Sequence, residues 1–136
     1  MKRDLSFSIV VPTYNRVEFI LLAVRSVLNQ TYANFELIIV DDGSTDKTSE
    51  VIATITDPRV RYVKIENSER GKARNTGVAL AKGDYVTFLD SDDQLYADCL
   101  ESANNGLFKY NYTPFYHQAY EVRSYLKEKV RFVHEY

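Results

Sequence analysis

The sequence predicts an α/β fold, a mostly parallel β-sheet with helices on both faces. Three observations lead there. Short β-branched and apolar runs alternate with segments of helical periodicity along most of the chain, the pattern of repeated strand–helix–strand units. Three of the four strand runs stop at a Pro or Asp (Pro12, Asp41, Asp90), so the apolar stretches have strand rather than helix length. Clusters of Asp, Asn, Ser and Thr stand directly behind three of the runs, where a parallel sheet gathers its ligand-binding loops.

The elements follow in order. Ser6 to Val11, "SFSIVV", reads as a buried strand that ends at Pro12. Asn15 with Glu18 three residues later reads as a capping box. The helix it opens carries Ile20, Val24, Val27 and Leu28 on one stripe. Phe35 to Val40, "FELIIV", is a second strand, and Ser44 or Thr45 caps a helix running to about Ile55. Asp57-Pro58 makes a turn before a third strand, Val60 to Ile65. Gly71 to Lys82 has a helical pattern ended by Gly83-Asp84. Tyr85 to Leu89, "YVTFL", is the fourth strand, and Ala97 to Leu107 a short helix with Gly106 near its end. In the tail, 111–122 reads as a strand and 124–133 as a helix with Leu126, Val130 and Val133 on one face.

This Rossmann-like alternation places Pro12-Thr13-Tyr14-Asn15, Asp41-Asp42 and Asp90-Ser91-Asp92-Asp93 at one edge of the sheet, although they are far apart in sequence.

Bulk composition narrows the function classes. With 136 residues the chain suffices for one domain with its own core. Apolar residues make up 45% and charged residues 26%, as in ordinary globular proteins. A net charge of −2 provides neither a basic field for nucleic acid nor a polybasic membrane patch. A single cysteine, Cys99, excludes an internal disulfide and a cysteine-rich zinc site; it reads as a small buried apolar residue. The longest apolar run, near Phe19 to Val24, is too short to span a bilayer. Pro12, Tyr14 and Asn15 break the apolar stretch behind the basic N-terminus, so it does not read as a signal peptide. The expected location is the cytoplasm, free or peripheral on the cytoplasmic face of a membrane. Two units are expected. Residues 1–106 form the body, and 107–136 form a segment rich in tyrosine (Tyr110, Tyr112, Tyr116, Tyr120, Tyr125, Tyr136) that also holds His117 and His134.

Three constellations carry chemistry. Asp90, Asp92 and Asp93 crowd like charges behind a strand, and a divalent cation is the simplest compensation. Mg²⁺ or Mn²⁺ takes carboxylate oxygens together with substrate phosphates. A solvated acidic turn would explain Asp90-x-Asp92 alone; its place opposite a second acidic pair favours the metal. In Asp41-Asp42-Gly43-Ser44, an ordinary turn accounts for Gly43 and Ser44 but not for adjacent carboxylates, which can accept from an imide N–H or a ribose hydroxyl. "ERGKARNTG" opens a helix near the same edge, and Arg74 is favoured there as a phosphate partner, with Arg70 and Lys72 left open.

The runs "SIVVPTYNR", "QTYANFELIIVDDGSTDKT" and "GKARNTGVALAKGDYVTFLDSDD" resemble the successive signatures of inverting family 2 glycosyltransferases with the GT-A fold, in order across residues 6–103. The resemblance implies a domain that binds a nucleotide-diphosphate sugar, commonly a UDP-sugar. Pro12, Thr13 and Tyr14 would line the base pocket with Asp41 and Asp42, Asp42 meeting the uracil, and Arg74 would stand by the nucleotide. Asp90 and Asp92 would form the Asp-x-Asp motif that holds Mn²⁺ or Mg²⁺ against the diphosphate. The sugar would pass with inversion to an acceptor hydroxyl of a glycan, lipid or protein, in polysaccharide or related biosynthesis. Family domains are longer, and their acceptor half carries the catalytic carboxylate. Glu121, Glu128 and Glu135 do not single themselves out as that base, so the chain reads as a fragment or a truncated relative, with 107–136 the start or remnant of the acceptor half.

Two other readings compete. Without an acceptor half, the chain could be a non-catalytic nucleotide-binding module that self-associates through the C-terminal segment into a homo-oligomer. "FLDSDDQL" also faintly resembles the haloacid-dehalogenase phosphatase signature, with Asp90 as nucleophile and Asp92 as acid/base, but Asp93 and Gln94 stand where that signature has Gly and Thr.

Overall fold

The computed structural model describes residues 2–114 together with two short strands at 121–122 and 131–132. Four parallel strands form the central sheet: β1 (Phe7–Thr13), β2 (Phe35–Asp41), β3 (Val60–Lys64) and β4 (Tyr85–Phe88). Helices α1 (Ile20–Leu28), α2 (Thr48–Ile52) and α3 (Arg70–Leu80) connect them, and α4 (Cys99–Lys109) follows β4. The strand order is β3-β2-β1-β4. The chain therefore steps outward from β1 through β2 to β3, then returns to lay β4 on the other side of β1. The reversal between β1 and β4 is where such sheets bind ligands.

The central strands bury both faces, because successive side chains point to opposite sides. On one face Ile9, Val11, Leu37 and Ile39 pack with α1 (Ile20, Val24, Val27), α2 (Ile52) and α4 (Leu100, Leu107). On the other, Val10, Ile38 and Val40 meet Ala73 of α3. That second interface is tight because Gly77 has no side chain; a Cβ there would lie 2.2 Å from Val10 Cγ1. Among the described residues no helix is long and apolar enough to cross a membrane.

The expected elements are present, with several corrections. β1 does not stop at Pro12 but runs through it to Thr13. Even-numbered residues of β1 direct their backbone groups towards β4, as Leu89 N–H donating to the Val10 carbonyl shows. That ladder ends at Val10↔Phe88, so the N–H that Pro12 lacks would have had no strand partner. The capping box does not form. Asn15 sits at φ 49°, and α1 begins only at Ile20 without a side-chain cap. Asn15 Oδ1 instead accepts from the N–H groups of Thr45 at 2.8 Å and Asp46 at 3.2 Å. A left-handed backbone, which Asn tolerates, turns its side chain towards the neighbouring loop. α2 is shorter than expected, and neither Ser44 nor Thr45 caps it. Asp46 Oδ1 accepts from Thr48 N–H at 2.9 Å, while Ser44 Oγ accepts from Asn15 N–H.

The expected boundary after residue 106 falls inside α4, whose Leu107 is buried in the main core. In the tail, Arg131–Phe132, read as helical from sequence, is instead a strand, β6, paired antiparallel with β5 (Glu121–Val122). Tyr116, His117, Tyr120, Glu128, His134 and Glu135 lie outside the described residues. Cys99 is half-buried rather than fully buried; burial, then the Asp98 charge, pushes its thiol pKa up.

Candidate functional site

Parallel strands end at one edge, and register sets how close their loops come. Thr13 pairs with Asp41. The last β1–β4 rung is Val10↔Phe88, which leaves Asp90 two residues further on, level with Pro12. The three polar clusters thus meet at the carboxyl edge, with the β1 loop between the β2 and β4 loops.

The two β2 carboxylates diverge. Asp41 is fully buried: Oδ1 accepts from Ser44 N–H at 2.8 Å and Oδ2 from the Tyr62 hydroxyl at 2.7 Å. Burial, then this carboxylate, pushes the Tyr62 pKa up beyond the usual tyrosine range. Asp42 is half-buried at the edge; Oδ1 accepts from Ser68 N–H at 3.0 Å, and among the described residues no donor meets Oδ2. Its carbonyl accepts from Asn67 Nδ2 at 2.9 Å, and its N–H donates to the Thr13 carbonyl at 2.8 Å. Gly43 turns the loop at φ 77°, where a Cβ would lie 2.8 Å from Asn67 N. Only glycine satisfies both the left-handed backbone and that close approach.

In the β1 loop, Tyr14 is 46% exposed and Pro12 half-buried. Thr13 points into the core in phase with Ile9 and Val11, and among the described residues its hydroxyl is a buried polar atom without a partner. Thr13 and Asp41, both expected to face a ligand, are turned inward. Asp42, Tyr14 and Pro12 remain at the edge.

Arg74, in the first half of α3, reaches the β4 loop. Its Nη2 donates to Asp90 Oδ1 at 2.5 Å, with the two side chains 40% and 55% exposed. Asp92 is exposed and has no hydrogen-bond partner among the described residues. Asp93 sits above the ordinary carboxylate range, first through burial and then through the charges of Asp92 and Asp90. The loop is therefore rich in negative charge, with the Arg74 guanidinium against it. Among the described residues no three His, Cys, Asp or Glu side chains converge as a closed metal cage. Asp90 and Asp92 fit a different arrangement, in which a hard cation takes one or two protein carboxylates and fills its remaining sites with phosphate and water oxygens. Arg74 already places positive charge on one of the two.

Sequence reasoning missed Tyr62, Asn67 and Ser68, which hold Asp41 and Asp42 in place. Tyr62 could have been found, since a polar tip in mid-strand calls for a partner. Nothing local connects Asn67 or Ser68 to a carboxylate on another strand. A groove of about 600 Å³ lies elsewhere, beside β4, and is lined by Leu5, Phe7, Tyr85, Leu95, Leu100 and Leu107 among others. None of the predicted site residues lines it.

Comparisons with known proteins identify the family. The sequence model of the family described as Glycosyl transferase family 2 matches residues 8–131. An uncharacterised glycosyltransferase of Rickettsia conorii is 40% identical over 131 residues, 91% of this chain and 21% of that protein. The crystal structure of S. aureus TarS 1-349 in complex with UDP-GlcNAc superposes with a TM-score of 0.75 at 31% identity, over 79% of this chain and 32% of that one. A mannosyltransferase from Pyrobaculum calidifontis, in complex with GDP-Man and Mn²⁺, gives a TM-score of 0.65 at 29% identity, over 74% of this chain and 32% of that one. The chain thus spans about a fifth of the first relative and a third of the two structures. The chain belongs to glycosyl transferase family 2.

Proposed function

We propose that this chain binds a nucleoside-diphosphate sugar, a UDP-sugar, together with Mn²⁺ or Mg²⁺, as the donor end of an inverting transfer to an acceptor hydroxyl of a glycan, lipid or protein. One observation carries the reading: the carboxylates behind β2 and β4 and the guanidinium of Arg74 meet at the switch point of a parallel sheet. Tyr14 offers an exposed ring for the base beside Pro12, and Asp42 Oδ2 can accept the imide N–H. Asp41 and Thr13 contribute from behind, Asp41 by setting the loop and Thr13 through its carbonyl. Asp90 and Asp92 would hold the cation, which when bound offsets charge on the departing diphosphate. The UDP-GlcNAc complex of TarS supports the choice of nucleotide, and the Mn²⁺ complex of the mannosyltransferase supports the cation.

The phosphatase reading lost its ground when the family match ran across residues 8–131. Isothermal titration of the chain with UDP tests the proposal. Binding is expected with Mn²⁺ present, and Asp92→Ala is expected to weaken it at least tenfold. Equal affinity without metal, or in Asp92→Ala, would count against it.

A further inference from the structure

The contact between Arg74 and Asp90 goes beyond a role for each residue taken singly. Asp90 is one of two carboxylates proposed for the cation, yet in this structure a guanidinium from α3 sits on it at 2.5 Å. Asp92 has no such partner among the described residues. We propose that Arg74 is a placeholder cation: it occupies Asp90 until a divalent cation and a diphosphate arrive together, and then exchanges Asp90 for the phosphates. The inference rests on the donor-binding reading above and adds to it a coupling between the two ligands.

Three properties support the exchange. A guanidinium keeps its charge in proteins, so Arg74 competes with any other cation for Asp90. The pair is about half exposed on both sides, and such pairs hold weakly, so breaking this one is easy; a buried pair would resist. A diphosphate supplies what each partner loses, since its oxygens complete the shell of a hard cation and accept Arg74 in a forked geometry. A cation arriving alone must displace Arg74 into solvent, with no phosphate to receive it. A cation arriving with nucleotide meets no such obstacle. The site then takes up metal poorly by itself and well in company, and by linkage each ligand raises affinity for the other by the same factor.

Mn²⁺ binding followed by electron paramagnetic resonance, with and without UDP, tests this on the full chain. Arg74→Gln is expected to bind Mn²⁺ alone about three- to tenfold more tightly than the native chain, because the competing charge is gone. The same substitution is expected to weaken UDP in the presence of Mn²⁺ and to shrink the factor by which each ligand enhances the other. Arg74→Ala serves as a second version, and thermal melts verify that both fold. In an Asp90→Asn background, Arg74→Gln is expected to change Mn²⁺ affinity little. Mn²⁺ bound equally by native chain and variants, or by neither, overturns the placeholder. So does a gain that persists undiminished in Asp90→Asn, which would assign the effect to long-range charge. If the native chain fails to bind UDP with Mn²⁺ present, the donor-binding reading fails, and the metal-only arm still decides the role of Arg74.

Discussion

Asp41 accepts from Ser44 N–H and the Tyr62 hydroxyl while fully buried. Asp41→Ala leaves both donors without an acceptor, and each buried unsatisfied group costs on the order of 1–3 kcal/mol. Urea denaturation is expected to show a loss of about 3 kcal/mol on that basis. Asp41→Asn keeps an oxygen for Ser44, and its amide can donate to the Tyr62 oxygen, so the loss should be smaller. Equal losses would show that charge rather than hydrogen bonding matters there. At the start of β3, the Arg59 guanidinium and backbone N–H hold the Asp57 carboxyl down at about 2, from an ordinary 3.8. The folded chain therefore favours the carboxylate. The stabilisation is complete above pH 3.8 and disappears as pH falls through about 2. Asp57→Asn removes it, so the stability of the variant should fall less steeply than that of the native chain across this window. Parallel acid-melting curves would contradict the assignment.

α3 is where packing and chemistry share an element. Gly77 lets it lie against β1, and Arg74, on the same helix, reaches Asp90. Gly77→Ala forces its methyl into Val10, and overpacking of this kind costs about 1–3 kcal/mol. Lifting the helix also moves Arg74 relative to Asp90, so the variant should lose UDP affinity as well as stability. Val10→Ala in the same chain opens room for the methyl and should recover part of both; a double variant no better than Gly77→Ala would place the strain elsewhere. The elements themselves were legible in the sequence. Ile20, Val24 and Val27 form a stripe that only a helix explains, and "FELIIV" suits only a strand buried on both faces. The start of α1 was not legible, because it is settled by the loop across the sheet edge. Asn15 and Glu18 spell a capping box, yet Asn15 serves the Thr45–Asp46 backbone, a partner visible only after β1 and β2 are paired.

Across the whole molecule, the meeting of three remote clusters followed from topology alone, because parallel strands share a carboxyl edge. Which face each residue takes was also within reach: alternation sets Asp41 with Leu37 and Ile39, and Thr13 with Ile9 and Val11, apart from Asp42 and Tyr14. The Arg74–Asp90 contact was not, since it depends on how α3 docks rather than on any spacing in the chain. A ligand at this edge would bridge the β1, β2 and β4 loops and α3, which otherwise meet only through the sheet and a few hydrogen bonds. Binding to the folded state alone adds about 2.7 kcal/mol at a hundredfold excess over Kd. For a chain of this size that corresponds to a rise in Tm on the order of 5–10 °C. In a thermal-shift panel of nucleotide sugars, UDP-sugars with Mn²⁺ should give the largest rise, and the rise should vanish on chelation. A panel in which GDP-sugars lead would move the base preference towards that of the Pyrobaculum calidifontis mannosyltransferase complex. A shift of the same size with and without Mn²⁺ would remove the metal from the donor site altogether.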